Sequence, residues 1–415
     1  MTHTTVVYDA AQLVVGPASA GDDAAETDAE ETIAYYEVAA LAAEDGTVVA
    51  VGPTEPVTRA YPPEEADTAI DARGQAVIPG FVDSHTHALF AGNRSDEFAA
   101  KLRGKRYQEI LAEGGGILRT VRAVRDASDD QLLLNLLGHL DEMLAHGSTT
   151  VEVKSGYGLD TETELRMLDV IRRADERHPI DVVPTFMGAH AVPEGRDADA
   201  YTETVVSEQL PAVADQGVAE FVDVFCEEDV FSVEQSRRVL EAGREAGLEP
   251  KIHAEEFVRL GGSQLAAEIG AVSADHLLHA TAADARALAE AGIVPVLLPA
   301  TAFSLGADYA DPDQFLDAGA PVALASDFNP NCYSQSMPFT VALGCVGMGM
   351  TPAQSLLGAT VNGAAALDRT GGVGTLVEGA SADLAVLNAH SYVHVPYNFG
   401  VNPVETVLKD GEIVA

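Results

Sequence analysis

Residues 76–87 (AVIPGFVDSHTH) form an apolar run that ends in the polar motif His85-Thr86-His87. This run is the first of eight, and amphipathic segments of helix-forming composition separate one run from the next. The eight runs are residues 76–87, 149–155, 180–190, 221–226, 248–256, 271–277, 293–301 and 321–329. Because buried parallel strands are continuously apolar, eight strand–helix repeats over about 250 residues predict an α/β fold, a (β/α)8 TIM-type barrel.

Strand-like sequence on both sides of these runs predicts a second domain. Short strands and turns fill residues 1–75, and strand-like segments return at 382–387 and 406–414. A chain of 415 residues is long enough for two cores. We expect residues 1–75 and 368–415 to form one small β-sandwich-like domain beside a barrel of residues 76–367.

The charge of the chain is strongly acidic, with 24 basic and 65 acidic residues and a formal net charge of −41. The field of such a protein repels nucleic acid and anionic membranes, so we expect neither as a partner. A hydrated acidic surface that keeps the protein soluble in concentrated salt explains this balance better than a specific cationic partner does.

Other features of composition indicate a cytoplasmic protein. No uncharged apolar run reaches the roughly 18 residues that a membrane span needs. The first residues, MTHTT, lack the pattern of a secretory signal. The three cysteines, Cys226, Cys332 and Cys345, have no Cys-x-x-Cys spacing and an odd total. They therefore support neither a disulfide framework nor a thiolate zinc site.

Histidine or aspartate ends four of the eight runs. His85 and His87 are two apart on a strand and so face the same way. His253, His276 and Asp327 end the fifth, sixth and eighth runs. A His-x-His pair alone is more often part of a core, but polar residues at the carboxyl ends of several barrel strands converge. Imidazoles with one carboxylate suit zinc or iron with an open position for water.

Further segments carry a more specific pattern. They are PGFVDSHTH (79–87), GGGI (114–117), EVKSGYG (152–158), GAHAVP (188–193), KIHAEE (251–256), SDFNP (326–330) and GASADL (379–384). Over nearly the whole chain the sequence resembles the imidazolonepropionase family of the amidohydrolase superfamily. The His-x-His motif and GASADL are shared across that superfamily, whereas residues 152–158 and 188–193 are distinctive of the one family.

The resemblance implies hydrolytic ring opening of a small molecule, 4-imidazolone-5-propanoate, to N-formimidoyl-L-glutamate in histidine degradation. It implies one Zn²⁺ or Fe³⁺ per chain, with the ligands His85, His87, His253 and Asp327. It also implies a set of substrate contacts. These are Arg94, Tyr157, His190, Glu256, Asn329, Asn331 and Cys332.

Catalytic roles follow from the same resemblance. Asp327 is expected to take the proton of the attacking water, His276 to stabilise the oxyanion, and Glu256 to protonate or position the departing ring nitrogen. The guanidinium of Arg94 suits the propanoate of the substrate. Without the resemblance, Arg94 would be read as a solvated loop arginine, Tyr157 as a packing residue and His190 as a structural imidazole.

One departure and several alternatives stay open. Relatives usually have glycine where this chain has Asn331, and asparagine tolerates positive φ well enough for the turn to survive. Lys154 lies on the second strand, where a metal-bridging carboxylated lysine is not expected, so we predict a mononuclear site. A deaminase with the same ligands and a non-catalytic binding protein are the rival functions. A homodimer is compatible with the sequence.

Overall fold

The computed structural model describes residues 2–22, 25–105, 109–110 and 113–415. Strands in these ranges form two sheets. They are β1 (Thr4–Pro17), β2 (Glu26–Thr27), β3 (Ile33–Glu44), β4 (Thr47–Pro53), β5 (Thr68–Asp71), β6 (Ala76–Pro79), β7 (Phe81–Asp83), β8 (Ser148–Lys154), β9 (Asp181–Ala189), β10 (Phe221–Cys226), β11 (Glu249–Ala254), β12 (Ser273–His276), β13 (Val294–Leu297), β14 (Ala323–Leu324), β15 (Leu384–Leu387), β16 (Val404–Lys409) and β17 (Glu412–Ile413).

Helices occupy most of the connections between strands. The α-helices are Thr54–Ala60, Ser95–Leu102, Ile117–Asp126, Asp129–Ala145, Thr161–Asp175, Ala198–Thr204, Leu210–Gln216, Val233–Glu245, Gly262–Ile269, Ala282–Ala291, Pro299–Leu305, Asp313–Asp317, Met337–Val346, Pro352–Gly358, Val361–Ala365 and His394–Tyr397. A π-helical turn, Val205–Gln209, joins two of them, and 3₁₀ turns occur at Ala18–Ala20 and Pro63–Glu65. Among these described helices, none has both the length and the apolar composition that crossing a bilayer requires.

The barrel consists of β7 to β14, paired in sequence order and parallel throughout. It closes between its first and last strands by a parallel bridge from Thr86 to Phe328. At this seam the Asp327 amide donates to the His85 carbonyl at 3.0 Å, and the His87 amide donates to the Phe328 carbonyl at 2.9 Å. The predicted (β/α)8 barrel is therefore confirmed.

Helix Asp129–Ala145 shows how the sequence builds the outer layer. Ser128 caps its first turn by accepting a hydrogen bond from the Gln131 amide at 3.2 Å. Apolar side chains three and four residues apart form one stripe, which is buried. The residues of this stripe are Leu132, Leu136, Leu140 and Met143. Burial of the stripe fixes which face of the helix meets the barrel.

The run at residues 76–87 is two strands in two sheets, so its prediction as one barrel strand was wrong. β6 pairs with β1 and β15 of the terminal sheet, whereas β7 begins the barrel. The partner changes at Gly80, whose amide donates to Asp383, while the Phe81 amide donates to Gly147. A Cβ at Gly80 would lie 2.3 Å from the Thr149 hydroxyl, so the crossing requires glycine. Both sheets bury this segment, and its apolar pattern therefore shows no break.

The terminal sheet joins the two ends of the chain. Its order is β17-β16-β15-β6-β1-β3-β2, with β4 on β3 and β5 on β1. The first half of β1 pairs with β5 and its second half with β6, on either side of a register shift near Asp9. The predicted β domain from both termini is confirmed as a mixed sheet. The exact boundaries 1–75, 76–367 and 368–415 stay a prediction, and β6 belongs with the terminal sheet.

Candidate metal centre

The histidines of the motif and of the later strands meet at the carboxyl end of the barrel. His85 and His87 follow β7, His253 lies in β11 and His276 ends β12. The ring of His85 lies 4.5 Å from that of His253 and 5.4 Å from that of His276, centroid to centroid. All four side chains are buried. The convergence expected from strand ends is what the structure contains, and the roles of these residues stay predictions.

Three of the histidines offer nitrogens that surround one point. The nitrogens of His85, His87 and His253 lie within 4.8 Å of one another. An oxygen of Asp327 lies 3.7 Å from His85 Nε2 and 3.8 Å from His87 Nε2. Among the described residues nothing hydrogen-bonds the buried Nε2 of His85. A buried nitrogen without a partner is costly unless it binds something, so this donor set fits a metal ion.

The protonation states of the histidines also suit a metal. Burial lowers the pKa of His85 and His87 well below the usual value, and the positive charge of nearby Lys154 adds to this effect. Burial lowers the pKa of His276 in the same way. Neutral imidazole is the form that binds a metal. These rings are therefore held in their ligand form at neutral pH.

Asp327 is positioned by two neighbours. Thr301 donates a hydrogen bond to Oδ2 at 2.5 Å, and Asn329 donates to Oδ1 at 2.9 Å. Burial raises the pKa of Asp327, and the hydrogen bond from Thr301 opposes this rise. Asp327 has a φ of 49° and His276 a φ of 76°, conformations that side-chain-bearing residues rarely adopt. Such strain is found where the surrounding structure fixes a functional side chain.

Glu256 and His276 face one another beside the histidine cluster. Glu256 Oε2 lies 3.7 Å from His276 Nε2. Burial raises the pKa of Glu256 well above its usual value, and the charges of Asp327 and Glu227 raise it further. Its surroundings therefore favour the protonated form of the Glu256 carboxyl, next to a neutral imidazole.

Tyr157 and His190 form one side of the cluster. The His190 ring stacks on that of His87 at 4.6 Å with an interplanar angle of 17°, and Tyr157 lies 5.9 Å from His87. Burial lowers the pKa of His190 to about 3. Its Nδ1 hydrogen-bonds the Gly156 carbonyl at 3.1 Å. Gly156 has a φ of +100°, and a Cβ there would lie 2.8 Å from the Met187 carbonyl, so the distinctive EVKSGYG segment needs this glycine.

Arg94 precedes helix Ser95–Leu102, and its side chain is only 9% exposed. The interpretation of Arg94 as a solvated loop arginine was therefore wrong. Its Nε donates to Glu97 at 2.7 Å, and Glu97 accepts from the Gly116 amide at 3.1 Å. Glu97 thus connects Arg94 to the glycine-rich segment, a link that sequence reasoning missed.

The loop after β14 contains the remaining predicted substrate contacts. Asn329 Oδ1 accepts from the amides of Asn331 and Cys332 at 2.7 and 3.0 Å. The Asn331 side chain accepts from Lys101 at 2.9 Å, and Cys332 is buried. Asn331 is not among the described non-glycine residues with positive φ. The turn is present and accepts asparagine without a left-handed backbone.

Beneath the histidines lies a layer of buried charges that sequence reasoning missed, apart from Lys154. Each member is fully buried inside the barrel. The members are Glu152, Lys154, Asp223, Lys251 and Asp275. The signal was present, since each is a charged residue inside an apolar run, for example FVDVFC at residues 221–226. We call this set the interior charge layer.

Comparison with known proteins agrees with this architecture. The sequence model of the amidohydrolase family matches residues 76–414. A solved triazine hydrolase variant has the same fold, with a TM-score of 0.75 and 16% identity over 99% of this chain and 94% of its own.

Two curated relatives are much more similar in sequence. The imidazolonepropionase of Haloarcula marismortui is 66% identical, covering 100% of this chain and 96% of its own. That of Halobacterium salinarum is 64% identical, covering 98% and 97%. The chain belongs to the amidohydrolase family and, within it, to the imidazolonepropionases.

Proposed function

We propose that this chain hydrolyses 4-imidazolone-5-propanoate to N-formimidoyl-L-glutamate with one metal ion, held by His85, His87, His253 and Asp327. The observation that carries the proposal is the trio of histidine nitrogens within 4.8 Å beside a buried carboxylate. Imidazolonepropionases at 64 and 66% identity over nearly the whole chain support the substrate.

The donor set determines which metals fit. Three imidazole nitrogens and one carboxylate suit both Zn²⁺ and Fe³⁺. When bound, either ion polarises a carbonyl and lowers the pKa of water toward about 7. Among the described residues, the cluster close enough to share one ion consists of His85, His87 and His253 and contains no cysteine.

Asp327 is the proposed general base. Its hydrogen bonds from Thr301 and Asn329 hold one carboxylate in a fixed orientation at the end of the barrel. A base held in this way takes the proton of the attacking water without first reorganising.

His276 and Glu256 complete the proton transfers. A neutral His276 offers an N–H to the oxyanion that develops on the lactam carbonyl. Burial raises the pKa of Glu256 and so favours its acid form, from which a proton would go to the departing ring nitrogen. Glu256 Oε2 and His276 Nε2 are 3.7 Å apart, close enough for both side chains to act on the one amide bond of the substrate ring that is hydrolysed.

The other predicted contacts would position the substrate. Arg94 presents a guanidinium to the propanoate. Tyr157 and His190 lie against the histidine cluster, where they would contact the imidazolone ring of the substrate. The loop after β14 would contact the opposite side. Its proposed contact residues are Asn329, Asn331 and Cys332.

The test is direct. Purified protein in concentrated KCl is mixed with 4-imidazolone-5-propanoate, and loss of the ultraviolet absorbance of the ring is followed. We expect rapid loss of absorbance and formation of N-formimidoyl-L-glutamate without ammonia. Release of ammonia would favour the deaminase alternative, and an unchanged spectrum would favour a binding protein. A cytoplasmic location and a homodimer stay predictions.

A further inference from the structure

Lys154 lies at the centre of the interior charge layer and is completely buried. Its Nζ is 2.7 Å from a Glu152 oxygen, 2.8 Å from Asp223 Oδ2 and 4.0 Å from Asp275 Oδ2. Glu152 and Lys154 are two apart on β8, so both side chains point into the barrel. One ammonium group therefore serves carboxylates from β8, β10 and β12.

The two aspartates each contact a proposed metal ligand. His85 Nδ1 lies 2.6 Å from Asp275 Oδ2, and His253 Nδ1 lies 3.0 Å from Asp223 Oδ2. Among the described residues, His253 Nδ1 has no hydrogen-bond partner, so its contact with Asp223 is electrostatic. The hydrogen bond between His85 Nδ1 and Asp275 fixes the tautomer of that ring and leaves the lone pair on Nε2 for a metal. Asp223, by contrast, acts on His253 through its charge.

The second lysine of the layer has a different role. Lys251 Nζ lies 2.9 Å from Glu152 Oε1 and donates to the Ser84 carbonyl at 3.0 Å. It therefore holds the backbone just before His85. Thr185 also donates to Glu152, at 2.6 Å. Glu152 is thus neutralised and hydrogen-bonded from two further strands. Lys251 also attracts Asp275, and Lys154 is the cation that lies within 4.0 Å of both Asp223 and Asp275.

We propose that Lys154 is a positioning residue for the metal site, acting through Asp223 and Asp275 on His253 and His85. Its ammonium donates a hydrogen bond to Asp223 at 2.8 Å and attracts Asp275 across 4.0 Å. These two carboxylates in turn orient the two rings with Nε2 toward the metal. This inference rests on the metal site proposed above. Without the Lys154 ammonium, buried Asp223 would lose its only lysine partner among the described residues. Asp275 would keep Lys251 but lose one of the two lysines that attract it. A buried carboxylate that loses its cation moves or binds another partner.

A purely structural lysine would behave differently from a positioning one. The chain offers a matched control in Lys409, which is also buried and contacts three carboxylates, those of Asp181, Asp383 and Asp410, at 3.1–3.2 Å. Lys409 lies in β16 of the terminal sheet, away from the histidines. Loss of either lysine removes a buried cation, but only Lys154 is connected to metal ligands.

The experiment compares Lys154→Met and Lys409→Met as metal-free proteins. Zinc affinity is measured by competition with a chromophoric chelator in concentrated KCl, alongside melting temperature. We expect Lys154→Met to bind Zn²⁺ about 10–100-fold more weakly, the usual cost of losing a residue that orients a ligand. Lys409→Met should lower the melting temperature and leave zinc affinity within about twofold. Equal zinc affinity in Lys154→Met and wild type would overturn the proposal.

If Lys154→Met does not fold, variants of the two aspartates provide a second test. Asp223→Asn and Asp275→Asn keep the shape of each side chain, and each should weaken zinc binding and alter the visible spectrum of the Co²⁺ form. If Lys154→Met folds, combining it with Asp223→Asn should cost less than the two separate effects together. Unchanged affinity and spectra in both aspartate variants would overturn the proposal. If wild type itself binds no Zn²⁺, the metal site of the proposed function fails instead.

Discussion

The interior charge layer and the outer surface of this protein use charge in opposite ways. Inside the barrel, three carboxylates surround two lysines, and the chain has only five lysines in all. On the whole chain, acidic residues exceed basic ones by far and the net charge is −41. The interior charges are close to balanced and have fixed partners, whereas the surface charges are unbalanced and face solvent.

This difference indicates that the interior charges serve the chemistry of the site, whereas the surface charges adapt the protein to its solvent. A buried charge is tolerated only with a partner at close range, so its position is specified by the structure around it. An exposed charge is screened within about 10 Å at 0.1 M salt and about 3 Å at 1 M. Interior charges should therefore control metal binding and turnover with little response to salt, and surface charges should control stability with strong response to salt.

The largest effect should come from an interior carboxylate at the metal site. Asp327→Asn removes the proposed base and a proposed ligand, and loss of a general base alone typically costs about 10²–10⁴-fold in rate. We expect turnover to fall at least this far when kcat is measured at saturating substrate. A variant that keeps a tenth of the wild-type rate would remove Asp327 from both roles.

A smaller effect should come from Arg94. Removing it leaves the propanoate without a partner in a buried pocket, at a cost of about 2–5 kcal/mol by analogy with other charge pairs. Arg94→Ala should lower kcat/KM by roughly 30-fold or more, since each 1.4 kcal/mol is about tenfold. Arg94→Lys should recover part of this loss because an ammonium lacks the planar fork.

Metal content is the control for the Arg94 variants. Both should hold as much metal as wild type, because Arg94 contacts Glu97 and not the histidines. Normal kcat/KM in Arg94→Ala, or loss of its metal, would mean that the propanoate is bound elsewhere.

Salt concentration should affect the surface charges and the interior charge layer differently. Low ionic strength leaves the surface carboxylates unscreened, so the melting temperature should rise steeply as KCl increases from about 0.1 M to 2 M. At every KCl concentration in this range at which the protein is folded, the affinity of the metal-free protein for Zn²⁺ should stay nearly the same. A melting temperature that does not change with KCl concentration would show that repulsion between surface carboxylates does not limit stability.

The smallest effect should come from a single surface ion pair. Arg172 lies on an exposed helix face with Asp169 at 2.7 Å, and Glu176 is its other partner. Arg172→Ala should shift the melting temperature by less than about 1 °C and leave kcat unchanged, since exposed pairs are screened and flexible. A shift of several degrees would mean that a single surface ion pair contributes as much to stability as an interior ion pair does.

Sequence alone was sufficient for the barrel and for the residues at its mouth. Continuous apolar runs identified the parallel strands, and His or Asp at their ends identified the side chains that meet there. The split of residues 76–87 at Gly80 could not be predicted, because both sheets bury their half of the segment. A hydrophobic pattern reports burial and not the identity of the partner strand.

The supporting contacts of the site were harder to predict. Asp223 and Asp275 contact His253 and His85, but nothing in the sequence pairs residues on different strands. Likewise, the hydrogen bond of Arg94 to Glu97 depends on a side-chain rotamer, which sequence leaves open. The sequence did contain single charged residues within apolar strands. Such residues indicate which positions face the barrel interior, but not which side chains they contact.

Metal stoichiometry tests the central claim most directly, namely that His85, His87, His253 and Asp327 hold one ion. Protein purified in concentrated KCl is analysed for zinc and iron by elemental analysis, and activity is measured before and after chelation and after readdition of metal. We predict one equivalent of metal per chain in active protein, loss of activity with its removal and recovery with its return. Two equivalents, or full activity in protein without metal, would contradict the account.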